Sequence, residues 1–264
     1  MRRGGGFLGV LLVVLGIVLL VGTLSGIDVW GLAGSTLLIV FGAWILWGVL
    51  RGRRAMPVEE VSLPLDGVQQ ARVHVGFGAG RLRVGGGAAA GELMAGTFRG
   101  GVNYSKRQQG QELEVGLTLP NDVYFLFPIP GIAPGGLEWS VRLTPDIPLT
   151  LRVETGASAA ELDLTDLRVT DLRFVSGVNS AQVKLPARAG RTKVRVEGGL
   201  GSLKVWVPEG VAAQIRSRGG LSAIHIDRNR FPRSGQVYQS TDYETAANKV
   251  ELDVQIALGS VEIY

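Results

Sequence analysis

The 264-residue sequence has no cysteine, only two histidines and 7% aromatic residues. Without cysteine there can be no disulfides, thiolate metal sites or cysteine nucleophiles. The two histidines, His74 and His225, alternate with apolar neighbours on predicted strands, a pattern typical of outward, solvated positions. The sequence also lacks the G-x-S-x-G and H-E-x-x-H motifs of common hydrolases. We therefore expect a protein that is not an enzyme and binds neither metal nor cofactor.

Glycine is abundant, with 39 residues, but it forms no recognised ligand loop. The stretch GFGAG at 76–80 has no third glycine at dinucleotide spacing and no G-K-[ST]. The stretch GGLGSLKVW at 198–206 is similar to a calcium-binding nonapeptide, but Ser202 occupies the position of the ligand aspartate. Four acidic residues could imitate the carboxylates of an enzyme that cleaves polysaccharides: Glu161, Asp163, Asp166 and Asp171. Their alternation with leucines favours the solvated face of a strand instead.

Charge is missing from two long apolar runs near the N-terminus. Residues 7–24 and 30–50 contain no charged side chain, and each is long enough to cross a bilayer as a helix. We predict a transmembrane helical hairpin over 1–54. A cleaved signal peptide is the alternative for the first run, but no A-x-A site follows it and a second run comes at once.

The arginines around these runs predict the topology. They lie before the first span and after the second: Arg2, Arg3, Arg51, Arg53 and Arg54. The positive-inside rule then places both ends in the cytoplasm, so we predict a multi-pass protein of the cell membrane with a cytoplasmic C-terminal domain. The net charge of +4 belongs to residues 1–56, since the remainder has 22 basic and 22 acidic residues. This balance does not favour nucleic-acid binding.

A repeat occupies the C-terminal half of the chain. Each copy has an arginine followed four residues later by a glycine, at steps of 21, 22 and 21 residues: Arg152 and Gly156, Arg173 and Gly177, Arg195 and Gly199, Arg216 and Gly220. Alternating apolar residues follow each glycine, which predicts short strands around a glycine turn. We predict an all-β soluble domain, a β-solenoid-like ladder with rungs of about 21 residues. The predicted interior columns are Leu162, Val183, Val205, Ile224 and Leu164, Leu185, Val207, Ile226.

The same pattern extends to both ends of a domain spanning 58–264. A fifth copy would place Arg72, Gly76, Leu82 and Val84 at the same offsets, and the last strand would place Gln255 in the arginine position. Residues 85–150 break the period and suggest antiparallel strands with a polar hairpin around 107–110. Insertions are predicted near 121–136 and 227–249, the second as a polar surface excursion.

Stacked rungs would align four arginines, Arg152, Arg173, Arg195 and Arg216, which we call the arginine stripe. Like charges at this spacing repel, so neighbouring acids such as Glu154 and Glu197 would offset them. Otherwise the stripe would bind anions, either anionic lipid or a carboxylate-rich partner. Elsewhere, Asp163 and Lys184 are expected to pair between rungs.

The insertion at 121–136, NDVYFLFPIPGIAPGG, is too rich in proline for a central strand. It is either a loop that caps one end of the ladder or an exposed apolar patch. In the second interpretation, Tyr124, Phe125 and Phe127 contact a membrane surface or a partner.

Nearly the whole chain resembles the LiaF-type membrane proteins of bacterial cell-envelope stress systems. The segment DIPLTLRVETGASAAELDLTDLRVTDLRFVSGVNSAQVKLP at 146–186 is similar to that family's C-terminal toast-rack pattern, which adhesin-like relatives share, and 78–100 resembles its opening strands. The resemblance implies a regulator of a membrane histidine kinase that responds to cell-wall damage, with no catalytic residues. The insertion at 121–136 departs from the pattern.

Two binding functions remain open. The first is a membrane-anchored regulatory or sensory protein that acts through protein–protein contacts with a kinase. The alternative is a membrane-bound structural scaffold, or adhesin-like solenoid, that self-associates as a homo-oligomer through exposed terminal strands such as GSVEIY at 259–264. Enzymatic activity is a distant third.

Overall fold

The computed structural model describes Gly42, residues 57–120 and residues 137–264. Residues Met56–Tyr264 form one compact unit. Among the described residues, no helix is both long and apolar enough to cross a membrane. Both predicted spans, 7–24 and 30–50, fall outside the described residues except for Gly42, which is helical. The transmembrane hairpin and its topology therefore stay predictions.

The domain is built mostly of β-strands, thirteen of them in the described residues, joined in one large mixed sheet. The strands are β1 (Val58–Pro64), β2 (Gln70–Gly86), β3 (Glu92–Arg99), β4 (Asn103–Gln109), β5 (Glu112–Thr118), β6 (Glu138–Leu143), β7 (Leu149–Asp163), β8 (Val169–Lys184), β9 (Arg191–Trp206), β10 (Ala212–Ile226), β11 (Arg233–Ser234), β12 (Val237–Gln239) and β13 (Lys249–Ile263).

Six long strands form a parallel ladder in the order β2, β7, β8, β9, β13, β10. Antiparallel strands extend it at both ends. At the β2 end, β5 and β6 pair with β2 in parallel, and the antiparallel pairs are β4 with β5, β3 with β6 and β1 with β3. At the other end β12 pairs with β10 and β11 pairs with β12. The repeat therefore does produce stacked rungs, each a single strand where two short strands were expected.

Each long strand must bend back on itself. A straight 15-residue strand such as β7 would be about 50 Å long. Only residues 164–168 separate it from β8, whose start lies beside the start of β7, and five residues span roughly 20 Å. The bend falls at Gly156, where the pairing with β8 is interrupted. A Cβ there would lie 2.5 Å from the carbonyl oxygen of Gly78, so the stacked bends require glycine.

The interior columns confirm the alternation read from the sequence. Leu162, Val183 and Val205 are in register on successive rungs and at most 1% exposed. The prediction for the fourth copy is wrong by two residues. Ile226 continues this column, with Ile263 between it and Val205, whereas Ile224 belongs to the neighbouring column.

The last strand of the chain is an inner strand of the ladder. β13 lies between β9 and β10 and pairs with both in parallel, so GSVEIY is not the exposed edge that was predicted. Asp253 takes the arginine position in this rung, in place of Gln255. At the other end His74, and not Arg72, aligns with Arg152. A shift of two residues keeps every side chain on its own face, so alternation alone could not fix these registers.

The two ends of the ladder are closed differently. At the β2 end an aromatic cluster fills the core, with Trp139 packed against Phe77 and Phe98 at ring-centroid distances of 5.2 and 5.1 Å. The predicted hairpin is present there as β4 and β5, joined at Gly110 with φ 59°. At the β10 end the polar excursion does more than cover surface, because Phe231 and Tyr243 are buried.

Candidate functional site: two charged faces of the ladder

The ladder has two outward faces, one on each side of the bend. We call the outward side chains before the bend the arginine face and those after it the paired face. Arg152, Arg173 and Arg195 occupy matching positions on three adjacent rungs of the arginine face. The expected stacking fails at the fourth position, because Asp253 of the inserted strand separates Arg195 from Arg216.

Acidic residues close to the stripe offset part of its charge. Arg152 donates a hydrogen bond from Nε to Glu154 Oε1 at 2.6 Å within its own strand. Arg173 reaches across to the next rung, where its Nη2 lies 3.1 Å from Glu197 Oε1. Within the described residues, Arg195 forms no ion pair and its side chain is exposed. Arg216 is also exposed and without an ion pair within the described residues, but it donates a hydrogen bond from Nη2 to Gln214 Oε1 at 3.3 Å. Arg195 is therefore the stripe residue most available to an external anion.

Arginines lower the pKa values of two glutamates on this face, Glu154 and Glu251, the second of which pairs with Arg191. The hydrogen bond from Arg152 lowers the pKa of Glu154 below its ordinary value of 4.5, although partial burial acts in the opposite direction. The hydrogen bond from Arg191 likewise lowers the pKa of Glu251. Both carboxylates are therefore held ionised, which favours their pairing with the arginines over competition by an anionic ligand.

On the paired face, side chains of opposite charge contact each other between some neighbouring rungs. Lys184 Nζ lies 2.8 Å from Asp163 Oδ2, as the sequence predicted, and Lys204 Nζ lies 3.0 Å from Glu262 Oε2. Burial raises the pKa of Asp163, but hydrogen bonds from Lys184 and Thr165 outweigh this effect, and the pKa falls below its ordinary value. These contacts join β7 to β8 and β9 to β13, so they help to set the register of the rungs.

Several predicted site residues lie outside the described residues. These are the aromatic patch Tyr124, Phe125 and Phe127 and the topology charges Arg2, Arg3, Arg51, Arg53 and Arg54. Their roles stay predictions. His74 is half-exposed, with Nε2 3.7 Å from Glu154 Oε2, and His225 is exposed on the last rung.

Sequence reasoning missed an exposed aliphatic ridge along the bend, formed by Val178, Leu200 and Leu258. These residues are 56%, 49% and 42% exposed and occupy matching positions on β8, β9 and β13. The sequence held a signal, because Val178 and Leu200 each directly follow a bend glycine. Apolar side chains stacked in solvent are typical of contact surfaces.

The interior beneath this ridge has room for little more than water. A void of about 10 Å³ lies among Phe174, Asn179 and Ile256, among other side chains, enough for roughly one water molecule. Asn179 donates from Nδ2 to Thr155 Oγ1 at 3.2 Å, and its buried Oδ1 has no hydrogen-bond partner among the residues that the structure describes. This void does not fit an organic ligand.

Comparison with known proteins decides the family. Residues 53–206 match the profile described as the N-terminal domain of toast_rack, DUF2154, which covers more than half of the chain. The chain belongs to the toast-rack family. No curated protein matches the sequence.

Solved structures resemble this toast-rack chain in fold. A crystal structure of a candidate cell adhesion protein from Clostridium sporogenes ATCC 15579 matches with a TM-score of 0.71 and 20% sequence identity, covering 79% of this chain and 98% of the other. A candidate adhesin from Bacteroides fragilis NCTC 9343 covers 79% of this chain and 97% of its own, with 8% identity and a TM-score of 0.30. At 20% identity, the first match establishes a shared fold.

Proposed function

We propose that this chain is a non-enzymatic structural scaffold: a β-solenoid-like ladder, anchored at the membrane by the predicted hairpin at 1–54, that binds other copies of itself. The observation that carries this proposal is the parallel register running through six rungs from β2 to β10. Stacks of this kind are stiff and present the same surface at a regular spacing, which suits extended contacts with other macromolecules.

The chemistry of the described residues supports binding over catalysis. Within them, no group of three or more histidine, aspartate and glutamate side chains is placed to hold a metal ion. Two of the four acidic residues considered for polysaccharide cleavage are engaged by cations, because Asp163 bonds to Lys184 and Glu161 lies 3.7 Å from Arg83. Carboxylates engaged in cross-rung pairs are poorly suited to serve as a general acid and base.

The likeness to the candidate cell adhesion protein also favours the scaffold, as an analogy at the level of fold. The positive-inside prediction places the domain in the cytoplasm, where it cannot adhere to an external surface. The proposal is therefore self-association beneath the membrane.

Regulation of a membrane histidine kinase is the second candidate. It is favoured because the toast-rack match includes both segments that resemble LiaF-type proteins, 78–100 and 146–186. Exposed Arg195 and its neighbours would then meet an acidic surface of the kinase.

Co-capture of differently tagged copies tests the scaffold. Two full-length chains with different tags are produced in one bacterial membrane, solubilised in mild detergent and purified through one tag. The proposal predicts that more of the second tag is recovered than when membranes carrying each chain alone are mixed after solubilisation. If copies produced together are never recovered together, while a sensor kinase is, the scaffold is wrong and the regulator is favoured.

A further inference from the structure

The last rung of the ladder has an edge that is only half covered. On one side β10 pairs with β13 along its whole length. On the other side, β12 pairs only with Gln214 and Ile215. In the described parts of the chain, residues 216–226 have no strand on that side. Their outward-directed amide and carbonyl groups are therefore available to a new strand.

The hydrophobic core is also open at this edge. Ile224 lies in the interior column with Val261 and Leu203, which are 1% and 2% exposed, yet Ile224 itself is 38% exposed. Before the bend, Ile215 is fully buried, since the β12 residue Tyr238 packs over the core there. The terminal rung of a stacked fold needs a cap, and this rung has one on one side of its bend only.

Two other edge strands of the sheet, β1 and β4, carry residues that discourage pairing. β1 holds Glu59 and Glu60 and ends at Pro64, and β4 is exposed throughout and contains Lys106 and Arg107. By contrast, the stretch 219–226 has His225 as its one titratable residue and contains neither proline nor lysine. Of these strands, β10 after its bend is the least protected against pairing.

Connectivity favours a second copy as the cap. Residues 121–136 join β5 to β6, and both of these strands pair with β2, at the opposite end of the ladder from β10. Five rung spacings, about 24 Å, separate β2 from β10. A second copy brings an identical apolar strand, and a two-fold axis makes the same strand complementary to itself.

We propose that two copies of this chain pair through β10, with residues 220–226 of each copy aligned antiparallel and the two Ile224 side chains covered at the joint. This inference rests on the proposed self-association and names its surface. The exposed ridge residue Leu258, on the adjoining rung, extends the apolar contact.

Cross-linking of full-length chains in membranes tests the pairing directly. The chain has no cysteine, so Ala223→Cys introduces a single thiol at an exposed position on β10. A short bis-maleimide should convert this variant to a covalent dimer. The matched control is Ser180→Cys, which is exposed in the same outward column but on β8. We expect at least about tenfold less dimer from the control. Equal yields, or no dimer from Ala223→Cys, would overturn the proposed surface.

A charge placed on the edge separates this inference from the proposed function. Ala223→Lys should reduce co-capture of the two tagged copies by about tenfold, whereas Ser180→Lys should leave it unchanged. If Ala223→Lys folds and co-capture persists, the surface is wrong and self-association stands. If the unmodified chains are not recovered together, self-association itself fails. Should Ala223→Lys not fold, the cysteine comparison decides, because that substitution is small.

Discussion

The two faces of the ladder solve the problem of stacked charge in different ways. On the paired face, opposite charges contact each other between some neighbouring rungs, as in Asp163 with Lys184. On the arginine face three arginines occupy successive rungs, and the acids that offset them lie at neighbouring positions, as Glu197 does for Arg173. Both faces share one backbone and one register, so the difference comes from the side chains alone.

The paired face helps to set the register of the strands, whereas the arginine face is available for binding. Opposite charges that contact each other between rungs stabilise one register over the alternatives. The paired face therefore helps to set the fold. Stacked arginines repel one another, so their alignment does not stabilise the register of the rungs, and nearby carboxylates must offset their charge. Arg195 lies beside Asp253 on the next rung, but Asp253 pairs with Arg218, and Arg195 forms no ion pair within the described part of the chain. The arginine face is therefore better suited to meet another molecule.

The bend that divides the two faces should be the most sensitive point. Gly201, two residues after the bend glycine Gly199, has φ 146°, and a Cβ there would lie 1.8 Å from the carbonyl oxygen of Asn179. We expect Gly201→Ala to lower the free energy of unfolding by about 4 kcal/mol or more, because a backbone carbonyl cannot move aside cheaply. Urea unfolding followed by circular dichroism measures this. Gly190→Ala is the control, with φ 73° and no atom within 4 Å, and should cost about 1–2 kcal/mol. Equal losses would show that the bends are not closely stacked.

Removing one acid from each face tests their different dependence on carboxylates. Glu197→Gln leaves Arg173 without its partner beside two other arginines, and we expect a loss of about 1 kcal/mol at low salt. Glu161→Gln on the paired face removes a looser contact, 3.7 Å from Arg83, and should cost less than about 0.5 kcal/mol. Unfolding at low and high salt should show the Glu197 effect shrinking by screening. A larger loss for Glu161→Gln would contradict the distinction.

Lowering the pH should reduce the contribution of both faces to the free energy of unfolding, by less than the substitutions above. The pKa values of Glu154, Glu251 and Asp163 are lowered in the folded state, so the unfolded chain binds more protons in acid. These carboxylates contribute fully to stability above their ordinary pKa values, 4.5 for glutamate and 3.8 for aspartate. The contribution is lost as the pH falls through their lowered pKa values in the folded state. Between about pH 6 and pH 3 the free energy of unfolding should fall. Glu251→Gln should flatten this fall, and a steeper slope in that variant would contradict the assignment.

The period and the alternation were enough to predict the centre of the ladder. Leu162, Val183 and Val205 form the expected column, because inward residues every second position and a fixed repeat define both face and stacking. The pair Asp163 and Lys184 followed from the same register.

The ends of the ladder were beyond this reasoning for two physical reasons. Shifting the register of two paired strands by two residues keeps every side chain on the same face of the sheet. The alternation of apolar residues therefore could not show whether His74 or Arg72 aligns with Arg152. Strand order was the second reason. The 22 residues between β10 and β13 allow the last strand to return between β9 and β10, and local pattern carries no information on such a return.

A pair of engineered cysteines tests the inserted strand order, on which both the interrupted stripe and the exposed β10 edge depend. Ser202 and Ser260 face each other on β9 and β13, at a spacing of about 4.8 Å that a disulfide can bridge. Ser202 and Ala223 are two rungs apart, about 9.6 Å, which exceeds that reach. On mild oxidation, Ser202→Cys with Ser260→Cys should form an intramolecular disulfide, and Ser202→Cys with Ala223→Cys should not. The reverse result would place β10 directly on β9 and contradict the account.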